Sequence, residues 1–95
     1  MAKGYWVTFY RSAPNPDSLA EYARQGTIAI QAAGGRFVAR GPAVKTFEAG
    51  LSQRSVVIEF DSVEKAIAAY QSAGYQAALK ALGPVEREVR IIEGV

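Results

Sequence analysis

The hydrophobic and polar positions along the chain follow two periods, and together they predict a β-α-β-β-α-β order of elements. Gly4 to Arg11 is short and rich in aromatic and β-branched residues, which favours a strand. Ser55 to Phe60 has the strongest strand pattern in the chain. Both segments are largely apolar or aromatic on both faces, so we expect them to form the central pair of a sheet.

A helix is predicted between these strands. Asn15 followed by Pro16 is typical of a helix start, with Asn as the N-cap and Pro at the first helical position. Gly34-Gly35 predicts the end of this helix. The residues expected on its buried face share helical spacing and small or apolar character; they are Leu19, Tyr22, Ala23, Gly26, Ile30 and Ala33.

Two further helical segments follow the third strand. Asp61 or Ser62 is expected to cap the first, with Asp61-x-x-Glu64 as a variant of the capping box. Gly83-Pro84 ends the second. The predicted apolar stripes are Val63, Ala66, Ile67 and Tyr70 in the first segment, and Tyr75, Ala78, Leu79 and Leu82 in the second.

The remaining strands are less regular. In Arg36 to Arg40, alternation places Phe37 and Ala39 on one face, with Arg36, Val38 and Arg40 on the other. Gly41-Pro42 is expected to interrupt this strand, and extended structure is expected to resume from Ala43 to Glu48. Glu86 to Glu93 alternates apolar and charged residues, as expected of an edge strand protected by charge.

This order of elements and its short connections predict a single domain over residues 1–95. The expected fold is an α+β, ferredoxin-like sandwich, with one antiparallel sheet and the helices on one face. The other face would expose apolar side chains, so we expect a homodimer through sheet faces. Alternation alone leaves open which face of the first strand meets the helices.

Composition supports this interpretation and excludes several functions. Hydrophobic residues make up 49% of the chain, which is high for 95 residues and favours burial against a partner. There is no cysteine and no histidine, so disulfides, thiolate chemistry and imidazole general bases are excluded. No Asp-rich loop suggests a hard cation, and no nucleotide-binding motif is present; we expect neither metal nor cofactor.

Charge and hydropathy address partners and location. The net charge is +2, and the lysines and arginines are scattered among acidic residues, so nucleic-acid binding is not expected. No apolar run approaches the length of a membrane span, and the N-terminus lacks a signal-peptide pattern. The sequence therefore predicts a cytoplasmic protein without a membrane partner.

Several short motifs occur together along the chain: GYWV near the start, Asn15-Pro16, the helix with Tyr22, GGRFVARG, Glu48 before a turn, VIEF followed by Ser62, and Tyr70-x-Ser72-x-x-Tyr75. In combination they resemble the domain-of-unknown-function-1330 family over essentially the whole chain. The resemblance implies the dimeric α+β barrel superfamily, whose members include cofactor-free monooxygenases, muconolactone isomerases and haem-dependent enzymes.

Two positions depart from the pattern of that family. The family usually has Ser-Pro-Glu-Tyr where this chain has Ser72-Ala73-Gly74-Tyr75. It also often has an aromatic residue shortly after the Glu-Gly turn, where this chain continues Glu48-Ala49-Gly50-Leu51-Ser52. No role is therefore carried over for a carboxylate at position 74 or for an aromatic side chain after the turn.

Glu59 is the main candidate for acid/base catalysis. It interrupts an apolar central strand, and a carboxylate in a mostly buried sheet should have either a cationic partner or a raised pKa. A raised pKa would suit a general acid or base. The alternative is a structural ion pair with Arg36, Arg40 or Arg90, or simple exposure at the end of the strand.

Glu48 is a second catalytic candidate, expected near the mouth of the barrel with Arg36 or Arg40 as counter-ion. Arg40 could instead bind an anionic substrate through its forked donors. The alternative for Glu48 is a solvated surface pair.

The ligand-binding candidates besides Arg40 are aromatic residues that could form the wall of a cleft, together with one serine: Trp6, Tyr22, Tyr70, Tyr75 and Ser72. Ordinary core packing is the alternative for the aromatic residues. Ser72 has no activating base, and an N-cap role for the helix of Tyr75 is favoured.

These candidates support two functions from different classes. The first is a cofactor-free dimeric enzyme or binder that acts on a small, partly apolar ligand by acid/base chemistry. The second is a non-catalytic structural or regulatory homodimer. A cavity around Glu59 with a raised pKa favours the first, and a direct arginine partner in a packed surrounding favours the second.

Overall fold

A computed structural model describes residues 2–95 and contains every predicted helix, with four strands in one sheet. The strands are β1 (Gly4–Tyr10), β2 (Arg36–Pro42), β3 (Arg54–Phe60) and β4 (Arg87–Glu93). The helices are α1 (Pro16–Ala32), α2 (Val63–Gln71) and α3 (Ala73–Leu82).

The sheet is antiparallel throughout, with the strand order β2-β3-β1-β4. The two strands that lack a polar face, β1 and β3, are central as predicted, and β4 is an edge strand. The fold is therefore the ferredoxin-like α+β sandwich. Its core lies between the sheet and the helices, where Trp6, Tyr75, Phe60 and Ile58 are the largest fully buried side chains.

The register settles which face of β1 meets the helices. Trp6, Thr8 and Tyr10 are buried, whereas Tyr5, Val7 and Phe9 lie on the opposite face, which we call the open face. Trp6 pairs with Ile58, whereas Tyr5 pairs with Glu59 and Val7 with Val57. Trp6 therefore lies on the opposite side of the sheet from Glu59, and the sequence alone could not assign this relation.

The helix starts follow the predicted caps. Asn15 accepts hydrogen bonds from the backbone N–H groups of Asp17 and Ser18 at the start of α1. Ser62, rather than Asp61, caps α2 by accepting from the N–H of Lys65. The predicted apolar stripe of α2 is only partly correct. Ala66 is buried as predicted, but Ala69 is buried as well and Ile67 is 41% exposed.

Strand β2 differs from its prediction in two ways. It continues through Gly41 and Pro42, which an edge strand tolerates because the missing N–H of proline faces no partner. The predicted extended structure from Ala43 to Glu48 is wrong. The pairing of β2 and β3 ends at Pro42 and Arg54, and residues 43–53 form the loop of this hairpin.

A β-bulge also changes the faces of β2. Phe37 pairs with Ile58, but Ala39 pairs with Val57, so Val38 is an extra residue and the alternation shifts there. Arg40 consequently pairs with Val56 and shares the helix side of the sheet with Phe37. The predicted grouping of Arg40 with Arg36, opposite Phe37, is wrong because the bulge inserts one residue between them.

Candidate functional site

A narrow cleft lies between α1 and one end of the sheet, on the helix side. Its wall is mainly apolar and aromatic, with a few hydroxyl and guanidinium groups; the residues that carry chemistry are Trp6, Thr8, Tyr10, Tyr22, Thr27, Arg40, Arg54 and Arg87. The unfilled space is about 20 Å³. This space holds roughly one water molecule, so the cleft is largely filled by its own side chains.

Three elements that are distant in sequence build the polar centre of the cleft. The hydroxyls of Tyr22 on α1 and Tyr75 on α3 are 2.7 Å apart. Arg87 on β4 donates to both, at 3.3 Å to Tyr22 and 3.2 Å to Tyr75. Arg87 also lies over the rings of Tyr10 and Tyr22, with centroid distances of 5.4 and 5.5 Å. The guanidinium group thus meets aromatic rings and hydroxyls rather than a carboxylate.

Burial controls the protonation of two of the tyrosines here, Tyr75 and Tyr10. It raises the pKa of Tyr75 well above its ordinary range, and the nearby Tyr22 raises it further. Burial also raises the pKa of Tyr10, although the charges of Arg87 and Arg54 oppose this shift. Both hydroxyls therefore stay protonated near neutral pH and can donate a hydrogen bond or a proton, but they are poor general bases.

Trp6 is a buried part of the aromatic lining of the cleft. Its Nε1 donates to Thr8 Oγ1 at 2.8 Å, so its polar atom is satisfied within the protein. Its ring makes edge contacts with Tyr75 and Tyr70 at centroid distances of 4.6 and 5.4 Å. Trp6 and Tyr75 therefore serve the core as well as the cleft.

Arg40 lies at the mouth of the cleft. Its Nη1 donates to Thr27 Oγ1 at 3.1 Å, and its guanidinium carbon lies 4.1 Å from the ring centroid of Phe37. The bulge at Val38 is the reason that this exposed arginine reaches the helix side. Arg54 joins the same end of the cleft because its β3 position opposes Pro42, two residues beyond Arg40 on β2.

Glu59 lies on the open face, away from the cleft. It accepts hydrogen bonds from Tyr5 Oη at 3.0 Å and from Arg36 Nε at 3.1 Å, and Lys3 Nζ is 3.8 Å away. These partners hold the pKa of Glu59 below its ordinary value, with the Tyr5 hydrogen bond as the largest cause and that of Arg36 next. The raised pKa that acid/base chemistry would favour is not found, and the predicted arginine partner is present.

Glu48 lies in the loop between β2 and β3, at an exposed turn with φ of 53°. Its expected counter-ions are engaged elsewhere, because Arg36 pairs with Glu59 and Asp61, and Arg40 binds Thr27. The same loop overhangs a hollow of about 500 Å³ at the end of the open face, next to Phe9, Phe47 and Leu51. Glu48 is therefore not brought together with the cleft residues.

The two remaining candidates, Ser72 and Tyr70, are not part of the cleft lining. Ser72 accepts from the N–H of Tyr75 at 3.3 Å and donates to the carbonyl oxygen of Ala69 at 2.7 Å, which confirms the predicted N-cap. Tyr70 packs against Trp6 and Tyr75 in the core. Of the predicted ligand-binding residues, the cleft lining brings together Trp6, Tyr22 and Arg40, and Tyr75 joins them through its hydroxyl.

Sequence reasoning missed Arg54, Arg87 and Thr27 as functional candidates. Arg87 pairs with Tyr10 across β4 and β1, so a correct alignment of these strands would have placed it beside an aromatic residue of the first strand. Arg54 precedes the predicted start of β3 by one residue, so the alternation pattern assigns it to no strand face. Thr27 carried no signal beyond its place on α1.

None of the helices within residues 2–95 is long and apolar enough to cross a membrane. Of the same residues, no group of three or more Asp and Glu side chains is arranged to hold a metal ion. The cleft itself offers hydrogen bonds, positive charge and aromatic contacts from its own side chains.

Comparisons with known proteins agree with the fold. The family model described as "Domain of unknown function (DUF1330)" matches residues 3–95. No curated protein matches the chain significantly. A protein of unknown function from Rhodopseudomonas palustris is 16% identical, with a TM-score of 0.72 over 99% of this chain and 83% of that one.

Two other solved structures are similar at lower scores. A dimeric ferredoxin-like protein of unknown function from Thermobifida fusca is 17% identical, with a TM-score of 0.56 over 96% of this chain and 90% of that one. A protein from Nitrosomonas europaea, provisionally described as an antibiotic biosynthesis monooxygenase, is 12% identical, with a TM-score of 0.61 over 99% and 90%. At these identities the likeness shows the fold alone.

Proposed function

The chain belongs to the family described as a domain of unknown function (DUF1330), and on that premise we propose that it is a homodimeric α+β barrel protein that binds a small, partly apolar molecule in the cleft of each subunit. The observation that carries this proposal is the polar centre of Arg87, Tyr22 and Tyr75 within an aromatic wall. Ligand sites are typically apolar with a few convergent polar groups, and this cleft has that composition.

Binding requires the cleft to open. Ligand pockets usually measure about 300–1,000 Å³, far more than the roughly 20 Å³ found here. The side chains at the mouth can supply the movement, because Arg40 is exposed and Arg54 is half-buried. Rotamer changes of such side chains are common on binding and leave the backbone in place.

The open face supports the homodimer. Tyr5, Val7 and Val57 lie there among partly exposed neighbours, and Phe9 and Ile92 are 41% and 48% exposed. An apolar sheet face of this kind is usually covered in soluble proteins. The similar protein from Thermobifida fusca is described as dimeric, which supports the same assembly here.

Glu59 supports the non-catalytic function of the open face. Its hydrogen bonds to Tyr5 and Arg36 fix the carboxylate and lower its pKa. We therefore propose that Glu59 orders the edge of the dimer interface, as in the structural alternative. Acid/base catalysis by Glu59 or Glu48 stays a prediction, and the cleft itself needs neither residue to bind a ligand.

The binding proposal is tested with three one-ring compounds of different charge: benzoate, benzamide and benzylamine. Trp6 is the single tryptophan of the chain and lies in the cleft wall, so its fluorescence reports occupancy there. We expect at least one compound to give a saturable fluorescence change, with amide chemical-shift changes centred on Gly26, Thr27 and Arg87. No saturable change with any of the three would contradict the proposal.

A variant that fills the cleft gives the matched control. Gly26 lines the cleft on α1, and a Cβ added there would meet Tyr22 at an ordinary contact distance of 3.6 Å. We expect Gly26→Leu to abolish the response because its longer side chain occupies the cleft. Ala32→Leu, on an exposed position of the same helix, should leave the response unchanged.

A further inference from the structure

The arginines of the chain fall into two groups. Within residues 2–95, Arg11, Arg24, Arg36 and Arg90 each have a carboxylate oxygen within 4.0 Å. Arg40, Arg54 and Arg87 have none, and all three line the cleft. The arginines without an acidic partner are thus gathered in one place.

The cleft does not compensate these charges. No Asp or Glu is found among the described residues that line it. Arg87 is half-buried, and its protein hydrogen bonds go to neutral tyrosine hydroxyls. A partly buried cation without a counter-ion is unfavourable, and proteins usually pair such a group.

Strand geometry explains why these charges meet. Arg54 belongs to the last residue pair of β2 and β3, and Arg40 lies two residues before the end of β2. Arg87 opposes Tyr10 at the same end of the sheet. All three lie on the helix side of the sheet, at the cleft. All three side chains therefore contribute positive charge to this one cleft.

We infer that the ligand of the cleft is a small organic carboxylate with an aromatic or otherwise apolar body, bound by Arg40, Arg54 and Arg87. This inference rests on the proposed function and names the substrate class of the same site. Forked guanidinium donors match the geometry of a carboxylate, and the tyrosine hydroxyls add neutral donors. The aromatic wall of Tyr10, Tyr22 and Phe37 suits the apolar body.

The test compares benzoate with benzamide, which has nearly the same shape and no charge, by isothermal titration calorimetry. We expect benzoate to bind at least about tenfold more tightly, as is usual for hydrogen bonds to a charged group. Its affinity should fall as NaCl is raised, because salt screens these charges. Inorganic phosphate at the same concentration should not displace benzoate, because it has no apolar body.

Two variants locate the charge effect. The side chain of Arg54 makes no hydrogen bond to the described part of the protein, so Arg54→Met removes none. This variant should weaken benzoate binding by about tenfold while benzamide binding is unchanged. Arg90→Met is the matched control, because Arg90 pairs with Glu88 away from the cleft. Arg87→Lys keeps the positive charge but loses the fork, and an intermediate loss is expected. Thermal unfolding of each variant verifies that it is folded.

The outcomes separate the two proposals. Equal affinity for benzoate and benzamide would overturn the carboxylate inference and leave small-molecule binding in place. Tighter binding of phosphate than of benzoate would also overturn it. Binding of none of benzoate, benzamide and benzylamine, with folded protein, would contradict the proposed function itself. An equal loss in Arg54→Met and Arg90→Met would show a general charge effect and overturn the assigned site.

Discussion

The two faces of the sheet treat charge in opposite ways. On the open face, Arg36 and Lys3 surround Glu59, and Arg36 also reaches Asp61. In the cleft on the helix side, Arg87 meets only tyrosine hydroxyls and rings. A cation that is paired with a carboxylate needs no further counter-ion, whereas a guanidinium group without such a partner can still bind an anionic group of another molecule. The proposed assembly role thus falls on the face with paired charges, and the proposed binding role on the cleft with unpaired ones.

The largest expected effect comes from a charge placed on the open face. Val57 lies at its centre, opposite Val7 on β1 and Ala39 on β2. Val57→Lys should convert the dimer into a monomer, because a lysine there would be buried without a partner in a sheet-to-sheet interface. Sedimentation velocity at micromolar concentration measures this change.

Ile28→Lys provides the control for this experiment. Ile28 is 61% exposed on α1, so the same gain of charge on the helix side should leave the assembly unchanged. A wild-type protein that sediments as a monomer would remove the role assigned to the open face. Dissociation of both variants would show that position does not matter.

The second effect is the pH dependence of stability, which differs between Glu59 on the open face and Tyr75 on the helix side. The pKa of Glu59 is lowered by the Tyr5 and Arg36 hydrogen bonds, so its stabilising contribution is present above its ordinary value of 4.5 and is lost as the pH falls below it. The pKa of Tyr75 is raised by burial, so its contribution is present below 10.0 and is lost as the pH rises above that value.

Urea unfolding across the pH range tests this difference. Glu59→Gln should reduce the loss of stability in acid, and Tyr75→Phe should reduce the loss in alkali without altering the acid range. Tyr5 on the open face also has a raised pKa, chiefly through its hydrogen bond to Glu59, so part of the alkaline loss should remain in Tyr75→Phe. Identical acid profiles for wild type and Glu59→Gln would contradict the assignment.

The third effect concerns the positioning of Tyr75. Ser72 caps α3 and holds its first turn, on which Tyr75 lies. Ser72→Ala should lower the free energy of unfolding by about 1 kcal/mol, the usual cost of a lost N-cap. Ser72→Asp retains an acceptor and should restore most of it. Unchanged stability together with lost benzoate binding would instead assign Ser72 to the ligand.

The smallest effect concerns the space in the cleft. Gly26 lies in the interior of α1, where glycine costs about 0.5–1 kcal/mol relative to alanine. An added Cβ would fit, so Gly26→Ala should raise the free energy of unfolding by that amount and weaken ligand binding slightly. Gly35→Ala is the contrasting variant, because its Cβ would lie 2.5 Å from Ile30 Cγ2 and should destabilise the protein. A destabilised Gly26→Ala would show that the cleft is already filled.

The sequence predicts the fold much better than the site. Alternation and caps are local signals, and they locate β1, α1, β3 and the Ser72 cap correctly. The cleft depends on contacts between distant positions, since Tyr22 meets Tyr75 and Arg87 only after three elements pack. The bulge at Val38 also reverses the face of Arg40, and alternation cannot reveal an inserted residue. For Glu59, the sequence could suggest an arginine partner or a raised pKa, and only the register decides between them.

The most direct test of the account compares all the arginines in one experiment. Side-chain Nε–Hε resonances of 15N-labelled protein are recorded during a titration with benzoate. The account predicts saturable shifts for Arg40, Arg54 and Arg87, and little change for the carboxylate-paired arginines Arg11, Arg24, Arg36 and Arg90. Equal shifts in both groups, or shifts confined to the paired group, would contradict the claim that the cleft is built for an anion.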